Sequence, residues 1–327
     1  MAYCMVNSLF YWLIIQIKNI VTNKKFTSFT PMEWASLQHN LSTSLTKNDI
    51  ANIEGINERL SQHEINTIYL PLICLINSLF NKKENNQTFI IGLCGSVSVG
   101  KTTIARLLKF LLEQHYGSPA VDIISTDNFI YPLKHLTKQN LLEKKGFPES
   151  YNTDAMIECI RNISHTGISS CPIYSHTLYD VEPNNILTIT KPKFVIFEGL
   201  NTLQAHSEDN SLQDFFDISF YIDAPEKYIK EWYIQRFLTF KDEVFSQKDN
   251  YFHHYSKLTK EEAITTASDI WDSINGYNLK KFILPTKDKA NVVLQKGRDH
   301  FVDKVLVDSQ TQTDIRRCMT NHNTINF

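Results

Sequence analysis

Residues Gly95-Ser96-Val97-Ser98-Val99-Gly100-Lys101-Thr102 fit the pattern G-x-x-x-x-G-K-[ST]. Residue types at that spacing can hold a phosphate chain. The glycines let successive backbone N–H groups turn inward, Lys101 brings a point charge for the β- and γ-phosphates, and the Thr102 hydroxyl is placed to bind Mg2+. Gly95 through Thr103 therefore reads as a segment that binds ATP and its metal ion. Three carboxylates end short apolar runs elsewhere: Asp127 follows AVDIIST, Glu198 follows KFVIF, and Asp223 ends FDISFYI. Asp127 suits a base that takes the proton of a substrate hydroxyl as the γ-phosphoryl group departs. Glu198 suits a Mg2+ carboxylate, and Asp223, directly before Ala224-Pro225, reads as a helix N-cap. Arg236 is the leading cation for the transferring phosphoryl group. Lys144-Lys145 is a weaker one, since adjacent lysines are usually solvated. His253-His254 is rejected as a metal pair, because neighbours in a helix or strand cannot both face one ion.

These residues need elements to position them. The run Phe89–Cys94 reads as a buried strand leading into the loop, and Thr102–Gln114 as the helix leading out, with Ile104, Leu107, Leu108, Leu111 and Leu112 at helical spacing. Residues 120–125, 193–197, 216–222 and 290–295 read as further strands, the last of these closing the sheet. Asp154–Ile163 reads as a helix, as does the stretch from Pro225 to about Val244, and Thr259-Lys260-Glu261-Glu262 caps a helix reaching towards Leu284. Residues 26–80 read as helical, opening at Thr30-Pro31, with a second helix over 46–59 and a third over 63–80 that is kinked or restarted at Pro71. Residues 134–151 read as a charged, loop-like insertion. Two clusters, Pro172–His176 with Tyr179-Asp180 and Trp232–Tyr255, could wall a pocket for a small polar organic substrate. Strands alternating with helices give an α/β, three-layer fold of the P-loop NTPase type, mostly parallel with helices on both faces and a helical N-terminal extension. Ligands then sit at the carboxyl ends of the strands.

Of the 327 residues, 42% are hydrophobic and 21% charged, and the formal net charge is −2. That is ample for a core and gives no general argument for nucleic acid or an anionic membrane. The six cysteines show no paired spacing, which fits a reducing cytoplasm. Residues 9–17 (LFYWLIIQI) are fewer than the roughly 20 needed to span a bilayer, so no membrane anchor is expected. The domain plan is a poorly defined extension over 1–25, one kinase domain over 26–307 and a polar, unordered tail over 308–327. Within the domain, 26–87 is a helical lead-in and 88–307 the nucleotide and substrate core.

The series GSVSVGKTT, STDNF, KKGFPESY, PIYSHTLYD, FEGLN, YIDAPE, WYIQRF and ILPTKDKA, with FTPMEWASL and GINERLS before it, resembles bacterial type I pantothenate kinase from about Phe26 to Val307. The resemblance implies ATP-dependent phosphorylation of pantothenate, the first step of coenzyme A synthesis. It also implies Mg2+ as cofactor, a homodimer, and inhibition by coenzyme A competing with ATP. By the same resemblance Lys101, Asp127 and Arg236 are catalytic. Tyr174, His176, Tyr179, Tyr233 and Asn275, together with Asp127, line the pantothenate site. Arg106, Lys145, His176 and Phe240 meet coenzyme A. Two positions depart from the family pattern: Asn128 stands where Gly is usual and Gly276 where Trp is expected, which would enlarge or loosen the acceptor pocket. A uridine-type nucleoside kinase and a catalytically silent nucleotide or coenzyme A sensor are the alternatives.

Overall fold

The computed structural model describes residues 26–37, 43, 45–83, 87–207 and 210–320. The expected extension over 1–25 lies outside the described residues, as does the end of the tail, 321–327. The first elements are β1 (Phe26–Phe29), α1 (Pro31–Ala35), α2 (Lys47–Ile53) and α3 (Leu70–Phe80). Capping boxes start α1 and α2: Thr30 pairs with Glu33, and Thr46 with Asp49. Pro71 stands in the first turn of α3, directly after a π turn at Ile65–Tyr69, so the helical run changes its hydrogen-bond register where the proline has no N–H to donate. Residues 26–80 are thus not all helical. Phe26–Phe29 is a strand because a strand from the far end of the chain supplies its hydrogen bonds.

Then come β2 (Phe89–Gly95), α4 (Lys101–Tyr116), β3 (Val121–Ser125), α5 (Leu133–Lys138), α6 (Thr153–Thr166), β4 (Ile168–Ser175), β5 (Asp180–Thr190) and β6 (Phe194–Gly199). A short pair, β7 (Ala205–Ser207) and β8 (Asn210–Ser211), precedes β9 (Ile218–Asp223). The chain closes with α7 (Glu226–Glu243), α8 (Lys260–Ile270), β10 (Val292–Lys296), β11 (Val302–Asp308) and α9 (Ser309–Thr320). The main sheet runs β1-β11-β10-β9-β2-β6-β3. Strands β10, β9, β2, β6 and β3 are parallel, whereas β11 is antiparallel to β10 and to β1. Residues on alternate sides of each strand enter different clusters. Phe89, Ile91, Leu93, Phe194 and Ile196 pack on α3 and α4, while Ile90, Val195 and Phe197 pack with Met156, Ile160 and Ile163 of α6. Burial on both faces is what a parallel strand requires, and it reads in the sequence as an unbroken apolar run.

Three further expectations are corrected. The insertion over 134–151 contains α5 and two 3-10 turns, Leu142–Lys144 and Pro148–Ser150. Residues 290–295 are not the last strand: β11 follows, its apolar Val302, Val305 and Val307 buried while Asp303 and Lys304 face solvent. The tail is helical as far as Thr320, because Thr311, Gln312 and Ile315 are buried against the fold. Between α6 and β6 the hairpin β4–β5 stands apart from the main sheet. Among the described residues no helix is long and apolar enough to cross a membrane.

Candidate active site

The phosphate loop joins β2 to α4. Gly100, the N-cap of α4, has φ +92°, in the left-handed region that favours glycine. A Cβ there would also lie 2.8 Å from Lys296 Nζ and 2.9 Å from Glu58 Oε2. The loop is thus pressed from behind by two charged side chains that the sequence reading missed. Lys296 is buried on β10, and Glu58 Oε2 is buried with no hydrogen-bond partner among the described residues. Ser96 Oγ and Ser98 Oγ are likewise buried and unpartnered among the described residues. Hydroxyls left without partners inside an anion-binding loop fit a phosphate chain. The Thr103 hydroxyl meets the 54–59 segment. It accepts the Gly55 N–H at 3.0 Å and pins the 54–59 segment to α4, leaving Thr103 its backbone for a ligand.

Lys101 donates to Ser96 O at 2.8 Å. Burial pulls its ammonium below the ordinary lysine value, while Glu198 and Asp127 act against that shift. Glu198, at the end of β6 and 6% exposed, accepts from Thr102 Oγ1 at 3.3 Å; burial raises its carboxyl and Lys101 opposes the rise. A hydroxyl and a carboxylate side by side are the hard oxygen donors that Mg2+ prefers, so this pair fits a divalent ion. The small residue after Glu198 is required: a Cβ on Gly199 would run into the Thr126 side chain of the neighbouring strand end.

Asp127 lies in the 3-10 turn Thr126–Phe129 at the end of β3. Tyr151 Oη donates to its Oδ1 at 3.3 Å, an orienting contact that the sequence reading missed. Arg236 comes from α7, with its guanidinium over the Phe240 ring at 5.0 Å. Burial lowers its pKa, opposed first by Glu58 and also by Glu198. Lys101, Asp127, Glu198 and Arg236 therefore act on one another across a single crevice at the carboxyl ends of β2, β3 and β6. Asp223 is not an N-cap; Pro225 holds that position, and Asp223 accepts from Lys287 Nζ at 2.5 Å.

The far wall is aromatic. Tyr174 packs edge-on to His176 at 5.1 Å, and Tyr233 lies tilted against Trp271 at 5.6 Å. The Tyr233 hydroxyl lies near Asn275, and burial pushes its pKa up to about 12. Burial pushes the Tyr174 and Tyr179 phenols up and the His176 imidazole down, with Asp127 opposing the histidine shift. Lys145 is not solvated like its neighbour Lys144, which pairs with Glu149 at 3.1 Å. Its ammonium donates to Tyr179 O and lies 3.5 Å from the centre of the Tyr179 ring, and burial pulls its pKa down to about 8. Tyr179 has φ +56° at the turn of the hairpin, so its carbonyl contact with Lys145 ties hairpin to insertion, while Asn201 after β6 and Asn278 both donate to Gly146 O and hold the insertion to the main fold. Arg106 is exposed on α4, one turn beyond Thr102, and Phe240 packs against Phe245 at 5.7 Å.

Neither departure from the family pattern opens the acceptor side. A Cβ on Gly276 would lie 2.9 Å from Trp271 Nε1, so the Trp271 indole already fills that space. Asn128 is buried and bridges: its Oδ1 accepts the Tyr174 N–H at 3.0 Å and its Nδ2 donates to Cys171 Sγ at 3.7 Å.

The model of the phosphoribulokinase / uridine kinase family matches residues 90–240. A protein of Mannheimia succiniciproducens named pantothenate kinase is 45% identical over 298 residues, covering 86% of this chain and 94% of that one. One of Haemophilus influenzae with the same name is 44% identical and covers 86% and 96%. Among solved structures, D-glycerate 3-kinase from Cryptococcus neoformans matches with a TM-score of 0.55 over 72% of this chain and 97% of that one. At 15% identity it bears on the fold alone.

Proposed function

The chain belongs to the pantothenate kinase family, and from that premise we propose that it transfers the γ-phosphoryl group of ATP to the terminal hydroxyl of pantothenate, the first step of coenzyme A synthesis. The observation that carries the reading is the crevice in which Lys101, Asp127, Glu198 and Arg236 act on one another beside an aromatic wall. ATP lies with its phosphates along Gly95–Thr103, held by backbone N–H groups and by the dipole of α4. Pantothenate lies against Tyr174, His176, Tyr179, Tyr233 and Asn275 with its hydroxyl at Asp127. Asp127, oriented by Tyr151, takes the hydroxyl proton as the hydroxyl oxygen bonds to the γ-phosphorus and the bond to the β-bridging oxygen breaks. Lys101 and Arg236 meet the negative charge that spreads over the transferring group. Thr102 and Glu198 would hold Mg2+, whose part is to neutralise charge on the phosphate oxygens. Because little covalent chemistry is asked of the protein, positioning and electrostatics supply the acceleration.

Coenzyme A inhibition belongs to the same proposal, with Arg106, Lys145, His176 and Phe240 as its contacts. So do a homodimer, one kinase domain over 26–307, and a cytoplasmic location. The test is ADP release by the purified full chain with ATP and Mg2+, offered pantothenate or uridine, with Lys101→Met and Asp127→Ala beside it. Turnover with pantothenate alone, lost in both variants, is the expected result. Turnover with uridine alone would overturn the substrate, and silence with both would leave a sensor.

A further inference from the structure

Two thiols flank the acceptor end without belonging to it. Cys159 on α6 and Cys171 on β4 are each 3% exposed. Ser169 Oγ donates to Cys159 Sγ at 3.3 Å, and Cys171, two residues further along the same strand face, lies beside Cys159. Both line a cavity of about 750 Å3 whose wall also includes Asn128, Phe129, Glu158 and Ser170. A small oxidant therefore has a route to sulfurs that are otherwise buried. Asn128 connects the pair to the chemistry: it holds Cys171 Sγ and the Tyr174 N–H, and it directly follows Asp127.

We propose that Cys159 and Cys171 are a modification site at which a hydroperoxide forms a disulfide, and that the disulfide shifts Asn128 and so disables the acceptor end of the site. The Cys159 sulfur attacks the outer peroxide oxygen and the O–O bond breaks. The departing oxygen takes up a proton, leaving Cys159 as sulfenic acid. The Cys171 sulfur then attacks the Cys159 sulfur, the S–O bond breaks, and hydroxide leaves as water with the Cys171 proton. Two thiols lose two electrons in all, and the peroxide is the group reduced. The roles follow from the hydrogen bonds to each sulfur: the Ser169 hydroxyl donates to Cys159 Sγ at 3.3 Å, closer than the Asn128 amide to Cys171 Sγ at 3.7 Å, and favours a thiolate there, so Cys159 is the nucleophile and Cys171 the proton-bearing partner. Bridging the sulfurs withdraws the acceptor of the Asn128 amide and draws α6 and β4 together beneath Tyr174.

The test treats the full-length protein with hydrogen peroxide and reads a non-reducing digest by mass spectrometry, a readout independent of which substrate is turned over. The expected result is a cross-linked peptide pair containing Cys159 and Cys171. Turnover with pantothenate should fall by about ten- to a hundredfold, the order set by displacing a positioned group. The KM for ATP should be unchanged, and dithiothreitol should restore activity. Cys159→Ser and Cys171→Ser should each keep basal turnover and lose the sensitivity. Free thiols at both positions after treatment, or inactivation that persists in Cys159→Ser and vanishes in Cys94→Ala, would overturn the proposal. A disulfide that leaves turnover intact would overturn its regulatory half.

Discussion

The two ends of the crevice are built differently. The phosphate end is one continuous strand–loop–helix, β2 through α4, completed by carboxylates at the ends of two neighbouring strands. The acceptor end is gathered from five separated segments: the Asp127 turn, the 145–151 insertion, the β4–β5 hairpin, α7 and the 271–275 turn. Their electrostatics differ too. Charged groups at the phosphate end are partnered by opposite charges, as Lys101 is by Glu198 and Asp127. At the acceptor end phenols and an imidazole are driven towards their neutral forms by burial. The first arrangement would suit a polyanion, the second a neutral polar segment that ends in a hydroxyl.

The sharpest way to break that contrast is at the phosphate end. Lys101→Met should lower kcat/KM for both substrates by about a thousandfold or more, read by ADP release, since removal of one preorganised donor alone costs about 10²–10³. Asp127→Ala should lower kcat by about 10²–10⁴ while ATP still binds, because only the proton acceptor is lost. Next comes Gly100→Ala, which forces a side chain into the left-handed region and against Lys296 and Glu58. It should cost about 1–3 kcal/mol in thermal unfolding and raise the KM for ATP, with the KM for pantothenate less affected. Equal effects on both KM values would show that the ends are not separable. At the acceptor end, Tyr233→Phe removes the hydroxyl proposed to meet pantothenate, and one hydrogen bond is worth about 0.5–1.5 kcal/mol, so the KM for pantothenate should rise by about two- to tenfold.

The smallest effect is at Lys145. Its folded pKa of about 8 lies below the ordinary lysine value of 10.5. Between those values the unfolded chain binds more protons than the folded one, so this group makes stability rise with pH there. Below about 8 it is charged in both states and its full burial penalty remains. Lys145→Met should therefore stabilise the ligand-free protein by about 1 kcal/mol at neutral pH, given solvent screening. It should flatten the rise in melting temperature between pH 8 and 10, and weaken any anionic ligand that meets this lysine. A destabilised Lys145→Met would mean that its contacts with the Tyr179 ring and carbonyl outweigh its desolvation.

Much of the fold was legible because parallel strands buried on both faces must be continuous apolar runs, and FIIGLC and KFVIF are. The hairpin was not: Ile168–Ser175 and Asp180–Thr190 mix serine, asparagine and proline, since only part of each strand is covered. β1 was missed because four residues, FTSF, carry no period of their own and are strand only through their pairing with β11. α9 was missed because two of the residues it buries, Thr311 and Gln312, are polar, so no apolar period marks the helix in the sequence.

Sequence by itself determined the phosphate end. Lys101, Thr102, Asp127 and Glu198 take their positions from local elements whose periodicity and turn chemistry are written beside them. Tertiary structure alone decided the acceptor end. It separated Lys145 from Lys144, put Tyr151 on Asp127 and filled the space beside Gly276 with Trp271; at the phosphate end it added only the backing of Gly100 by Glu58 and Lys296. Burial and Coulomb coupling depend on which distant segments come together in space, and a run of neighbouring residues carries no record of that.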